Sequence, residues 1–278
     1  MAVFDTPEPI SVTVELGSGD LRVVAGDRTD TVVEVMASDP TRASGVAAAE
    51  QTVVTCTDGM LRVTAPKGAK AWKRYTPWGG RESIDVRIEL PRGSHLHGEA
   101  SLVALHCVGI LGECRYDTGG GDIFVEQVTG DAELRTGTGA VRVERIGGSA
   151  TVKNGNGDTW IGEAESDLHV KAANGKITVD RADAAVTAKT ANGDIHLHDV
   201  ASGAVVAGTA CGKVSIGVRS GVAAWLDLHT SYGHVRNLLK VSDGPGPSDG
   251  TVEVRARTSF GDITVRRAGM ADSGKGAA

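Results

Sequence analysis

One stretch of the chain concentrates side chains that could do chemistry on a partner. Between Pro66 and Arg81 lie five basic residues and no acid, together with three of the seven Trp and Tyr residues of the whole chain. Trp72, Lys73, Arg74, Tyr75, Trp78 and Arg81 make up its centre, with Pro77, Gly79 and Gly80 giving it a loop-like context. Aromatic rings beside cations suit a sugar, a nucleotide, an anionic surface or a partner protein. The competing reading is structural: Trp72 or Trp78 folds back and covers an open end of the fold.

A second set is a column of cations, Arg135, Lys153, Lys171 and Lys189, spaced 18 residues apart and continued by Gly208 and His229. It reads either as an anion-binding stripe or as a solvated edge that blocks aggregation between sheets. Asn156, Asn174 and Asn192 share the same spacing. Asn tolerates left-handed turn geometry, and stacked amides form ladders, so this column reads as a structural turn ladder. Asp122, Asp158, Lys176, Asp194 and Lys213 form a further column, read as structural because its charge alternates from Asp158 onward. His95 with His97, and His196 with His198, place imidazoles two residues apart without visible Cys or carboxylate completion, so no metal site is assigned. There is no P-loop, no dinucleotide fingerprint and no H-E-x-x-H. No catalytic residue and no cofactor is assigned.

The spacing of these columns comes from a repeat. Gly121, Gly139, Gly157, Gly175 and Gly193 recur every 18 residues, and Gly212, Gly233 and Gly261 follow at intervals of 19, 21 and 28. Two and four residues after each glycine stand apolar residues such as Ile123 and Val125, or Ile195 and Leu197, with a polar or aromatic residue between them. That alternation is a half-buried strand. A second strand precedes each glycine, with inward positions such as Leu134, Val152 and Val170. Glycine between two strands supplies a turn at positive φ. One unit cannot bury its own apolar face, but stacked units can.

The fold expected is therefore all-β: a β-solenoid, right-handed by preference, of coils of about 18 residues. Residues 1–98 are read as an irregular β-rich N-terminal cap, residues 99–268 as the solenoid and residues 269–278 as a disordered tail. Within the cap, strands are expected near Ile10–Leu16, Leu21–Val24, Thr31–Met36 and Ile84–Leu90, a helix near Thr41–Glu50 and a hairpin at Asp58-Gly59. Leu16-Gly17-Ser18-Gly19-Asp20-Leu21 repeats the anchor pattern, so the cap contains a degenerate piece of the same repeat. Ser242–Gly250 is a Gly/Pro loop that accounts for the long last interval.

Composition agrees. Only ten of 278 residues are aromatic while 40% are hydrophobic, so the core must be built from Val, Ile, Leu and Ala. The net charge of −6 argues against nucleic acid as the main partner. The first residues carry no basic start and no apolar run, and no stretch reaches the roughly 18 apolar residues of a membrane span. Cys56, Cys107, Cys114 and Cys211 are scattered and read as reduced core residues of a cytoplasmic protein.

The segment Gly221-Val-Ala-Ala-Trp225-Leu-Asp227-Leu-His-Thr230, the later Thr258-Ser-Phe-Gly261-Asp262, the opening Phe4-Asp5-Thr6-Pro7 and the Asn-Gly-Asp repeats resemble a bacterial β-strand-repeat family. That family is of unknown function and carries the label putative adhesin. The resemblance covers nearly the whole chain and implies a β-solenoid with no established catalytic residues.

Three functional readings follow. The first is a non-enzymatic solenoid scaffold or interaction module with an unknown protein partner or with itself. The second is a carbohydrate- or anion-binding protein using the 66–81 loop. The third, an enzyme acting on polysaccharide, needs clustered carboxylates that the columns do not supply.

Overall fold

The computed structural model of the chain describes residues 1–66, 83–239 and 250–269. The chain divides into two compact units, residues 1–158 and 159–278. Both are β-solenoids built almost wholly of parallel strands.

The first unit opens with β1 (Ala2–Asp5), β2 (Ser11–Gly26) and β3 (Asp30–Ala37). A helix, α1 (Ala43–Gln51), and the strands β4 (Val53–Thr57), β5 (Met60–Thr64) and β6 (Ile84–Pro91) follow. The remaining strands are β7 (His95–Leu111), β8 (Cys114–Gly120), β9 (Ile123–Val128), β10 (Ala132–Thr138), β11 (Val141–Ile146) and β12 (Ala150–Asn156). β2 and β7 are each a whole coil. They run parallel in continuous register from Ser11 opposite His95 to Ala25 opposite Gly109. β2 takes the expected anchor geometry at Gly19, whose φ is 133°.

Coil order in space departs from coil order in sequence here. On its other side β2 pairs in parallel with β5 and with β6. The chain therefore lays down β2, builds the coil of β5 and β6 outside it, and returns to the inner side with β7. Antiparallel strands finish the outer end: β4 on β5, β3 on β6 and β1 on β3. The β4–β5 hairpin turns through Asp58 and Gly59, both at positive φ (50° and 71°), as Asp-Gly predicts. α1 packs on β3 and β6 through Gly45 and Ala48.

The second unit contains β13 (Thr159–Ala164), β14 (Leu168–Asn174), β15 (Ile177–Ala182), β16 (Val186–Asn192), β17 (Ile195–Val200), β18 (Gly203–Cys211) and β19 (Val214–Val218). It ends with β20 (Val222–Tyr232), β21 (Val235–Asn237), β22 (Gly250–Phe260) and β23 (Ile263–Arg267). One parallel sheet runs β14, β16, β18, β22, β20 and the other runs β13, β15, β17, β19, β23, β21. The last coil in sequence, β22 with β23, is thus inserted beneath β20 with β21. The interval of 28 residues between Gly233 and Gly261 is the path of this step back, not only a longer loop.

The core is what the columns predict. Leu134, Val152, Val170, Val186, Ile195, Leu197 and Val254 are buried. Tyr116 is the exception in size: its ring fills the core opposite Gly98, where a Cβ would stand 2.4 Å from the Tyr116 ring. Its hydroxyl donates to Val103 O at 3.1 Å. Leu226 and Leu228, expected inside, are only half-buried because β20 is the outermost strand of its sheet.

Candidate functional site

The turns fix every outward column. At the anchors φ lies between 130° and 152° from Gly175 to Gly261, Gly233 excepted, a region open to glycine alone. Stacking is as demanding as φ. A Cβ at Gly193 would stand 2.0 Å from Gly175 O.

An inward column that the sequence reading passed over ties these turns together. Three residues before seven of the eight anchors stand Thr118, Thr136, Asn154, Thr190, Thr209, Thr258 and Thr230, all buried except Thr230, while Ala172 precedes Gly175. Most of these side chains donate to the anchor carbonyl of the adjacent coil: Thr136 to Gly121 O at 3.0 Å, Asn154 to Gly139 O at 3.0 Å, Thr209 to Gly193 O at 3.0 Å and Thr258 to Gly212 O at 3.0 Å, whereas Thr118 donates to Gly120 O of its own turn at 2.9 Å. The signal was the 18-residue spacing of Thr and Asn at one fixed offset from glycine.

The Asp column after the anchor is structural, but by another contact than alternating charge. Asp122 accepts from Ala140 N at 2.7 Å, Asp194 from Lys213 N at 2.7 Å and Asp262 from His234 N at 2.9 Å. Each carboxylate satisfies the turn amide of the next coil. That hydrogen bond holds the Asp262 carboxyl below its usual range. In the Asn column, Asn192 Nδ2 donates to Asn174 Oδ1 at 2.9 Å, one rung of a ladder, while Asn156 Nδ2 reaches Gly137 O at 3.4 Å. In the second unit this column continues as Cys211, Phe260 and Tyr232, whose two rings stack at 4.9 Å.

The cation column divides. In the first unit Glu99, Asp117, Arg135 and Lys153 stand in register. Arg135 is held by Glu133 and lies 3.7 Å from Asp117, so it is locally compensated. In the second unit Lys171 lies opposite Lys189, and the column continues through Gly208 and Arg257 to His229. Arg257 was not assigned from sequence, although it stands four residues before Gly261 as Lys189 does before Gly193; its place beside Gly208 follows from β22 lying inside β20. β16, which carries Lys189, is an inner strand, hydrogen-bonded to a neighbour on both sides.

The remaining candidates have plain fates. Trp72, Lys73, Arg74, Tyr75, Trp78 and Arg81 lie outside the described residues, as do the Gly/Pro loop at 240–249 and the tail from 270. His95 Nδ1 accepts from Glu113 N at 3.0 Å, a structural role. His196 and His198 stack with centroids 6.1 Å apart, and burial holds the His196 imidazole below its usual pKa. Among the described residues no group of His, Cys, Asp or Glu is arranged to hold a metal ion, and no helix is long and apolar enough to cross a membrane. Of the cysteines, Cys107 and Cys114 are core residues, but Cys56 is half-buried and Cys211 is exposed, which corrects the expectation for those two. Cys211 sits on an outward turn column and is exposed among the described residues.

A further surface is exposed at the outer end of the second unit. Among the described residues β20 has one partner strand, β22, and its other edge is open. Around it Trp225, Tyr232, Val235 and Leu238 are 58, 70, 45 and 56% exposed.

Coils stacked on a glycine turn, with a buried column of Thr and Asn154 tying the turns together, define a β-solenoid of the repeat type. The chain belongs to the Toastrack DUF4097 family, whose model matches residues 7–266. It is similar to a putative adhesin of Bacteroides fragilis of known structure, with 16% identity over 95% of this chain and 96% of that one and a TM-score of 0.37. It is also similar to a putative cell adhesion protein of Clostridium sporogenes, with 11% identity over 96% and 98% and a TM-score of 0.22. No curated protein matches the chain.

Proposed function

We propose that the protein is a non-enzymatic interaction module that associates with a second copy of itself through the outer end of its second unit. One observation carries this reading: the eleven-residue strand β20 presents an open edge flanked by large exposed apolar side chains. An edge of unpaired N–H and C=O groups is a template for another strand, and long apolar edges are ordinarily covered. Leu226 and Leu228 add half-buried core positions to the same end. The edge is also suited to an antiparallel copy. Asp227 and His229 flank Leu228, so two β20 strands crossing at Leu228 set each Asp against the partner's His. A closed two-fold contact of this kind stops at a dimer.

Light scattering coupled to size-exclusion chromatography over a range of concentrations tests the proposal. The wild-type chain is expected to dimerise with rising concentration. Trp225→Lys with Leu238→Lys, both at exposed sites, is expected to leave a monomer with unchanged circular dichroism. A wild-type monomer at every concentration, or a dimer indifferent to these changes, refutes it.

A further inference from the structure

Lys171 and Lys189 face each other in ladder register, are exposed, and have no ion-pair or hydrogen-bond partner among the described residues. Like charges directly opposite across a ladder repel. The column then passes the side-chain-free Gly208 and reaches Arg257 and His229. Two carboxylates lie nearby: Asp227, one column away, stands 3.5 Å from Arg257 and partly compensates it, and Glu253, two columns away, stands 2.5 Å from Arg255, so the uncompensated cations of the column are Lys171 and Lys189. His169, exposed on the same face two residues before Lys171, adds no negative charge.

Gly208 is the informative position. Its φ is not in the glycine region, and a Cβ there would meet only Lys189 Cγ, at an ordinary 3.9 Å. Unlike the anchor glycines it is required neither by the turn nor by stacking. Its effect is to leave a gap between Lys189 and Arg257, so that cations flank an open notch. Beside the column runs a floor of short exposed side chains, Ala191, Ala210 and Ser259, and beyond it the amides of Asn174 and Asn192.

We infer that this column binds a linear anionic polysaccharide, one carboxylate per sugar, lying along the stacking direction. Cations repeat with the strand spacing of about 4.8 Å, in single file. A pyranose chain repeats on a comparable scale, and its hydroxyls suit the Asn amides and Ser259. Duplex DNA carries a charge every ~1.7 Å over a far wider cylinder and needs a broad basic face, whereas this column is one residue wide. Single-stranded nucleic acid needs open aromatic faces. No Trp, Tyr or Phe stands in the column of Lys171, Lys189, Gly208, Arg257 and His229.

The experiment is affinity electrophoresis of the full chain in gels containing polygalacturonate, with dextran and single-stranded DNA as comparators. Retardation by polygalacturonate alone is expected, weakening as salt is raised. Gly208→Glu places a carboxylate in the notch without a clash and is expected to weaken binding by about tenfold or more, and Gly208→Lys to strengthen it. Lys171→Gln with Lys189→Gln is expected to weaken binding as Gly208→Glu does, each with an unchanged melting temperature. No retardation of the wild type, equal binding by Gly208→Glu, or tighter binding to single-stranded DNA overturns the inference.

Discussion

Thr230 Oγ1 donates a hydrogen bond of 2.9 Å to Gly261 O, a carbonyl that lies 31 residues further along the chain. From Thr136, Asn154, Thr190, Thr209 and Thr258 the same bond runs back to an earlier coil, as from Thr258 to Gly212. The reversal marks the inserted coil: Gly261 N donates to Tyr232 O, and Gly212 N to Phe260 O. β22 therefore has strands on both sides, and the edge left open belongs to β20.

The Thr column is predicted to contribute most where it is flanked. Thr258 is buried with its hydroxyl committed to Gly212 O at 3.0 Å, so Thr258→Val keeps the shape and removes one donor. A loss of about 1 kcal/mol in unfolding free energy is expected. Thr230→Val, on the outer coil, is expected to cost less, because water reaches Gly261 O from the open side. Urea denaturation of both variants measures this, and equal losses would count against the column as a buried ladder.

Two glycines predict opposite fates for one substitution. Gly193 has φ 147° and a Cβ there would approach Gly175 O to 2.0 Å, so Gly193→Ala is expected to destabilise by about 3 kcal/mol or more. Gly208→Ala meets only an ordinary contact at 3.9 Å and is expected to be neutral or slightly stabilising, by up to about 1 kcal/mol, since it stiffens the unfolded chain. Thermal melts of the pair decide it.

How much of this was legible in the sequence follows from what repeats. Glycine anchors and inward columns recur at fixed spacing, so the coil and its core could be read, as could the anchor at Gly19. The Thr column was equally periodic but small polar residues at a turn look like loop composition, and only burial shows that they point inward. Coil order could not be read. Val254 and Leu226 fit the same column equally well, and a pattern that makes units interchangeable says nothing about which unit lies beside which. Arg257, four residues before Gly261, fits the cation column in the same way, but its place next to Gly208 could not be read.

The cysteines separate by reactivity. Burial pushes the Cys114 thiol up to about 12, and burial, with the Cys114 and Glu126 charges adding, pushes Cys107 well above its usual range. Neither offers thiolate at neutral pH. Cys211 is exposed. An Ellman titration of the native chain is expected to show one fast thiol, lost in Cys211→Ser, a slower one from half-buried Cys56, and the remaining two of four only in denaturant. More than two thiols reacting in the native chain, or reaction persisting in Cys211→Ser with Cys56→Ser, would contradict the packing of Cys107 and Cys114.

Acid should loosen the second unit through Asp183. Burial pushes its carboxyl up, but hydrogen bonds from Arg219 and Arg181 outweigh that and leave it below the usual 3.8. Arg219 Nη1 meets Asp183 Oδ1 at 2.7 Å, and Arg219 Nε meets Asp199 at 3.0 Å, joining three coils. A carboxyl held low in the folded state binds fewer protons there than in the unfolded chain. Its stabilisation is complete above 3.8 and is lost as pH falls below that value through the folded pKa. Asp183→Asn is therefore expected to be less stable than wild type by about 1 kcal/mol at neutral pH, with the gap closing as pH drops below 3.8. Urea unfolding from pH 7 to pH 2.5 tests the sign, since a gap that stays constant or widens in acid would mean that Asp183 stabilises the fold by packing and not by its charge.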